Sequence, residues 1–136
     1  MRNATLTRKT KETDISVSWN LDGSGTYAIQ TSIPFISHML ELFAQHGYFD
    51  LTITATGDTD VDGHHLAEDL GIVLGQAFSQ AVGDKKGITR YGSHITPMDE
   101  SLVLVALDIS NRAHLTYDVT FAHGLHQFDV SLIKEF

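Results

Sequence analysis

Residues 49–82 read FDLTITATGDTDVDGHHLAEDLGIVLGQAFSQAV. The first eight, Phe49 to Thr56, alternate apolar side chains with polar ones, which predicts a half-buried strand. Asp58, Asp60 and Asp62 then make an acidic loop. From the paired histidines to about Val82, the residues Leu70, Val73, Leu74, Ala77 and Phe78 recur at helical spacing, which predicts a helix buried along that face. A strand running through a polar loop into a long amphipathic helix points to an α+β fold.

The same stretch carries the densest chemistry in the chain. His64, His65 and Glu68 lie within five positions. On a helix, His64 and Glu68 are four apart and share a face, whereas His65 is turned about 100° away. One small ion cannot readily take both histidines, but two ions can, one on each side of the helix. The spacing therefore suggests half of a two-metal site, with His64 and Glu68 on one ion and His65 on the other. Solvated polar filler is the competing reading, and spacing alone leaves both open. Asp69 reads as a surface charge complementing the helix dipole rather than as a ligand.

The chain's 136 residues suffice for one ordinary domain, and 42% hydrophobic with 19% charged residues places it among globular rather than disordered proteins. A net charge of −8 argues against nucleic acid as a partner. There is no cysteine, so disulfides and thiolate sites are excluded, and a reducing cytoplasm is compatible. The longest apolar run, Leu102 to Leu107, is six residues and strand-like, so no membrane partner is expected.

Residues 4–19 alternate and read as one strand, Asp22 to Gly25 as a turn, and residues 27–33 as a second strand closing a hairpin. Pro34 suits the first turn of a helix, and Phe35, Met39, Leu42 and Phe43 mark its apolar face up to Gly47. After a solvated connection at residues 83–87, strands are expected over 88–96, 102–109 and 114–121, with Pro97 and Ser110-Asn111 as punctuation. A further amphipathic pattern starts at Phe128. The order strand, turn, strand, helix thus recurs, so that residues 1–86 read as a first repeat and 87–136 as the start of a second. His38 in the first helix aligns with Glu135 in the later one.

These residues form a recognisable set. Arg8-x-Thr10-x-Glu12-Thr13, Phe35-x-x-His38-Met39-Leu40 with His46-Gly47, and Asp62-x-His64-His65-x-x-Glu68-Asp69 are followed by Arg90-Tyr91-Gly92-Ser93, Pro97-Met98-Asp99-Glu100 and Ser110-x-Arg112. In this order they resemble the imidazoleglycerol-phosphate dehydratase family of histidine biosynthesis across almost the whole chain. The resemblance implies an α+β fold of duplicated half-domains, each a four-stranded sheet backed by two helices, similar to the second domain of a small-subunit ribosomal protein. The family's closing third lies outside these residues, so the second half is expected to be incomplete and this chain alone inactive, marginally stable or associated.

The implied activity is a cytoplasmic hydro-lyase that removes water from imidazole glycerol phosphate to give imidazole acetol phosphate. Two manganese ions would favour the substrate's imidazolate form, which expels the adjacent hydroxyl and gives a diazafulvene. By resemblance, His38 and His65 bind one metal, His64 and Glu68 the other, and Glu135 falls at a further ligand position. The same ligands would meet the substrate, with His65 and Glu68 at the catalytic centre. Glu12 is the candidate acid/base and also contacts substrate, as does His46, while Arg90 and Arg112 would hold the phosphate. The family assembles as a homo-oligomer of twenty-four subunits that share metal sites. Departures from its pattern are Ser37, Gly63, Leu66 and the Ala113-His114 pair after Arg112. His94, His114, His123 and His126 read as incidental. A non-catalytic metal-binding assembly unit of the same fold is the competing function.

Overall fold

The computed structural model describes residues 1–125 and 127–136. His126 lies outside them. The chain divides into two compact units, residues 1–83 with 119–136, and residues 84–118.

The first unit is built on a four-stranded sheet of order β1-β2-β4-β3, from β1 (Asn3–Lys9), β2 (Thr13–Asn20), β3 (Tyr27–Thr31) and β4 (Asp50–Gly57). The expected single strand over residues 4–19 is in fact two. β1 and β2 form an antiparallel hairpin, with Arg8 opposite Ile15 and Lys9 opposite Asp14. The turn survives because the Thr10 hydroxyl accepts the backbone N–H groups of Glu12 and Thr13, a short side-chain cap that alternation does not reveal. The expected hairpin onto β3 is also corrected. β4 lies between β2 and β3, antiparallel to the first and parallel to the second. Its Leu51, Ile53 and Ala55 are almost fully buried, as suits a strand paired on both sides. Asp50 ties down the 22–26 loop by accepting the backbone N–H groups of Ser24 and Thr26, which hold its carboxyl below the usual range.

Strand β2 buries Thr13, Ile15, Val17 and Trp19 and exposes the residues between them, so only one face of the sheet needs cover. That cover is α1 (Pro34–Gly47) and α2 (His64–Val82), with α1 against β3 and α2 across β1, β2 and β4. The buried stripe of α1 is Ile36, Leu40 and Ala44, while Met39 and Phe43, expected inside, stay about two-fifths exposed. The sequence offers two overlapping apolar stripes, and the sheet takes one of them. Tyr48, in the left-handed conformation at φ 56°, caps the helix after Gly47. Trp19 packs edge-on to Phe43 and Phe49, with ring centroids 5.6 and 5.4 Å away. The short α3 (Leu132–Glu135) packs on α2, in place of the longer amphipathic helix expected from Phe128.

The second unit is an antiparallel pair, β5 (Tyr91–Met98) and β6 (Ser101–Asp108). Pro97 sits inside β5 opposite Leu102 rather than ending it; a two-stranded ribbon has only edges, where a residue without an N–H is tolerated. The turn falls at Asp99, whose φ is +50°. Residues 114–121 are not a strand. Their alternation finds no neighbour to pair with among the described residues. The second half thus shows two sheet strands where a full repeat has four, as expected of an incomplete unit. No helix among the described residues is long and apolar enough to cross a membrane.

Candidate active site

Helix α2 starts where the acidic loop ends. Asp62 accepts the backbone N–H of His64 at 2.8 Å and so replaces the missing side-chain cap at Gly63. A side chain at Gly63 would collide with Leu132 and Ile33, whose methyl groups come within 2.8 and 3.0 Å of a built Cβ.

The first turn of α2 presents both histidines to solvent. His64 Nε2 lies 3.7 Å from Glu68 Oε2, as the four-residue spacing predicts. The His65 ring stands at 84° to that of His64, with centroids 6.0 Å apart. The two imidazoles therefore face different directions, the requirement for serving two ions. Asp58 Oδ2 lies 3.0 Å from His65 Nδ1. A carboxylate only accepts, so the proton sits on Nδ1 and the lone pair of the neutral ring on Nε2. This hydrogen bond raises the His65 pKa, helped by the charges of Asp58, Glu12 and Asp62 and opposed by burial. Asp58 Oδ1 is buried without a hydrogen-bond partner among the described residues, which leaves unneutralised negative charge beside the histidines.

Glu12 is exposed in the β1–β2 turn, and its carbonyl accepts the backbone N–H of Asp58 at 3.1 Å. The loop that orients His65 is thereby bonded to the residue read as acid/base. His38 and His46 are exposed on α1, and Glu135 is exposed on α3. Among the described residues no group of three or more His, Asp and Glu side chains comes together as a metal cluster. In the second unit, Arg90 Nε donates to Asp108 Oδ1 at 2.6 Å and its guanidinium lies 5.0 Å from the Tyr91 ring, while Arg112 is exposed.

Asp69 is not the surface charge that its position suggests. It is only 8% exposed, accepts Arg8 Nε at 2.9 Å through one oxygen and the Thr13 hydroxyl at 2.6 Å through the other. It is an internal anchor and not a surface charge. Its spacing four residues after His65 points at a ligand or a helix-dipole charge, because the partners that bury it come from a hairpin invisible to alternation. The role of Asp58 is hidden for a similar reason, with its place in the acidic loop as the signal that points to it.

The fold and these groups define an α+β protein with an imidazole–carboxylate array at the start of one helix. The imidazoleglycerol-phosphate dehydratase family model matches residues 31–136. The chain is 55% identical to the imidazoleglycerol-phosphate dehydratase of Bacillus pumilus over all of its own length and 71% of that protein's. It is equally identical to the Geobacter sulfurreducens enzyme, covering 70% of it. Among solved structures, the Staphylococcus aureus dehydratase superposes with a TM-score of 0.85 at 35% identity, over 98% of this chain and 73% of that one. The Pyrococcus furiosus enzyme does so at 0.82 and 42%, over 96% and 69%. The chain belongs to the imidazoleglycerol-phosphate dehydratase family, hydro-lyases of histidine biosynthesis.

Proposed function

We propose that this chain contributes part of a two-metal dehydratase site that binds imidazole glycerol phosphate and removes water from it. The divergent pair His64–Glu68 and His65 carries the reading. It supplies two adjacent metal half-sites from one helix turn, and the buried, unpartnered Asp58 oxygen suits a neighbouring cation. Imidazole and carboxylate donors fit manganese, among other divalent ions. Such ions supply Lewis acidity toward the substrate's imidazole ring when bound.

The chain's own residues do the rest. His64 and Glu68 hold one position, and His65, fixed by Asp58, holds the other, with His38 assigned to it by family position. Glu12 moves a proton at the reacting carbon, with Glu135 a further ligand and His46 a further substrate contact. Arg90 and Arg112 bind the phosphate. The family resemblance supports a homo-oligomer in which other copies supply further ligands to the site. A cytoplasmic setting goes with this biosynthetic role.

The test is manganese titration of the chain extended to the full length of its relatives, followed by calorimetry, light scattering and turnover on the same sample. About two ions per chain with metal-dependent assembly and turnover is the expected result. Assembly without turnover would favour the metal-binding assembly unit. No manganese binding, or binding unchanged in Glu68→Gln, would overturn both readings.

A further inference from the structure

A run of hydrogen bonds joins the Glu12 turn to helix α2. The Asp69 carboxylate can only accept, so the Thr13 hydroxyl donates to Oδ2 at 2.6 Å. With the Thr13 proton committed there, the Thr10 hydroxyl must donate to Thr13 Oγ1, 3.1 Å away. The lone pairs of Thr10 Oγ1 then accept the backbone N–H groups of Glu12, at 3.1 Å, and Thr13, at 2.9 Å. Arg8 Nε donates to the other Asp69 oxygen at 2.9 Å. Every donor in this run has a fixed direction, and the run starts on the residue after the metal-ligand candidate Glu68. Thr13 and Asp69 are buried, so the bond between them forms away from competing water, while the Thr10 bonds to Thr13 are part-buried and its bond to the Glu12 N–H is exposed. The turn itself is exposed at Lys11 and Glu12 and has little apolar packing to hold it.

From this geometry we infer that the Thr10–Thr13–Asp69 relay positions Glu12 against the His64–His65 turn, making Thr13 and Asp69 positioning residues for the acid/base group. The inference rests on Glu12 having that role. Glu12 is held on both sides: its N–H by Thr10 of the relay, and its carbonyl by Asp58, whose side chain orients His65. A one-residue slip of the turn would move the carboxyl by several ångströms, and misplacement of even about 1 Å costs about a hundredfold in rate. A hydrophobic residue of the same shape at position 13 would still fill the core but would break the relay.

The experiment compares Thr13→Val, Thr13→Ser and Asp69→Asn in the chain extended to the full length of its relatives. Amide hydrogen exchange is followed by NMR, and the kcat and KM for imidazole glycerol phosphate are measured. Thr13→Val should speed exchange of the Glu12 and Thr13 amides while leaving those of Ile53 in β4 protected. It should lower kcat by about tenfold or more with KM nearly unchanged, and Thr13→Ser should restore both. In a Glu12→Gln background, Thr13→Val should lower kcat no further. Unchanged exchange at Glu12, exchange that rises equally across β4, or a full additional loss of kcat in that background would each overturn the relay. If Glu12→Gln alone keeps normal turnover, the acid/base assignment fails, and the exchange result still decides whether the relay holds the turn. Should Thr13→Val not fold, Thr10→Val removes the two turn bonds without touching a buried position and takes its place.

Discussion

Strand β6 (SLVLVALD) is more apolar than strand β2 (TDISVSWN), yet every residue of β6 is exposed while β2 buries every second side chain. The difference is in the cover and not in the strands. β2 carries its large residues on one face, and α1 and α2 close that face. β6 carries apolar residues on both, with Leu102 and Leu104 opposite Pro97 and Ile95, and Val103 and Val105 opposite Thr96 and His94. Such a strand is written for cover on two sides. A two-stranded ribbon without it is marginal in water. Burial therefore follows from which neighbours the topology supplies, and hydrophobicity alone does not predict it.

The sharpest way to break this contrast is to truncate one residue in each region. Ile53, 1% exposed at the centre of the first sheet, should cost about 2–5 kcal/mol as Ile53→Ala, through lost burial and the cavity left behind. Leu104, 69% exposed in β6, should cost less than about 0.5 kcal/mol as Leu104→Ala. Urea unfolding followed by the fluorescence of Trp19, the sole tryptophan and a core residue, measures both. Equal shifts would mean that exposure does not set the cost of truncating these residues.

A smaller effect sharpens the same point. An uncovered apolar ribbon with open edges promotes association. Leu104→Lys should therefore reduce concentration-dependent self-association in sedimentation velocity while leaving the Trp19 unfolding midpoint in place. If self-association persists unchanged, it arises from another surface, such as the exposed Met39 and Phe43 of α1.

Much of this was legible in the sequence where local periodicity and tertiary cover agree. The strand at 50–57, the helix from His64 to Val82, and the His64–Glu68 pairing all follow from spacing. What spacing could not show was partnership. Residues 4–19 alternate continuously across a turn that one threonine hydroxyl holds, so two strands read as one. Alternation also ranks β3 beside β2, whereas β4 displaces it by being the more deeply buried. At the site, the ligand candidates were visible because their chemistry is in the side chain itself. Asp58 and Asp69 were not, because their roles come from groups 7 and 56 positions away, His65 and Thr13.

The smallest effect concerns His65, an exposed group that the first unit nonetheless ties in place. The hydrogen bond from its ring to Asp58, assisted by the charges of Asp58, Glu12 and Asp62, raises its pKa above the ordinary 6.5. A folded-state pKa above the unfolded one means that the protonated ring stabilises the fold. That contribution is complete below about pH 6.5 and disappears as pH rises through the raised value. The metal binding proposed at Nε2 would run the opposite way, because it needs the neutral ring, so affinity for manganese should climb over the same window. NMR titration of the His65 ring should show its pKa falling in Asp58→Asn, and the pH dependence of metal-free stability should flatten with it. If the Asp58→Asn ring titrates as before, the 3.0 Å contact does not set the protonation of His65, and the orientation of its free nitrogen must come from elsewhere in the loop.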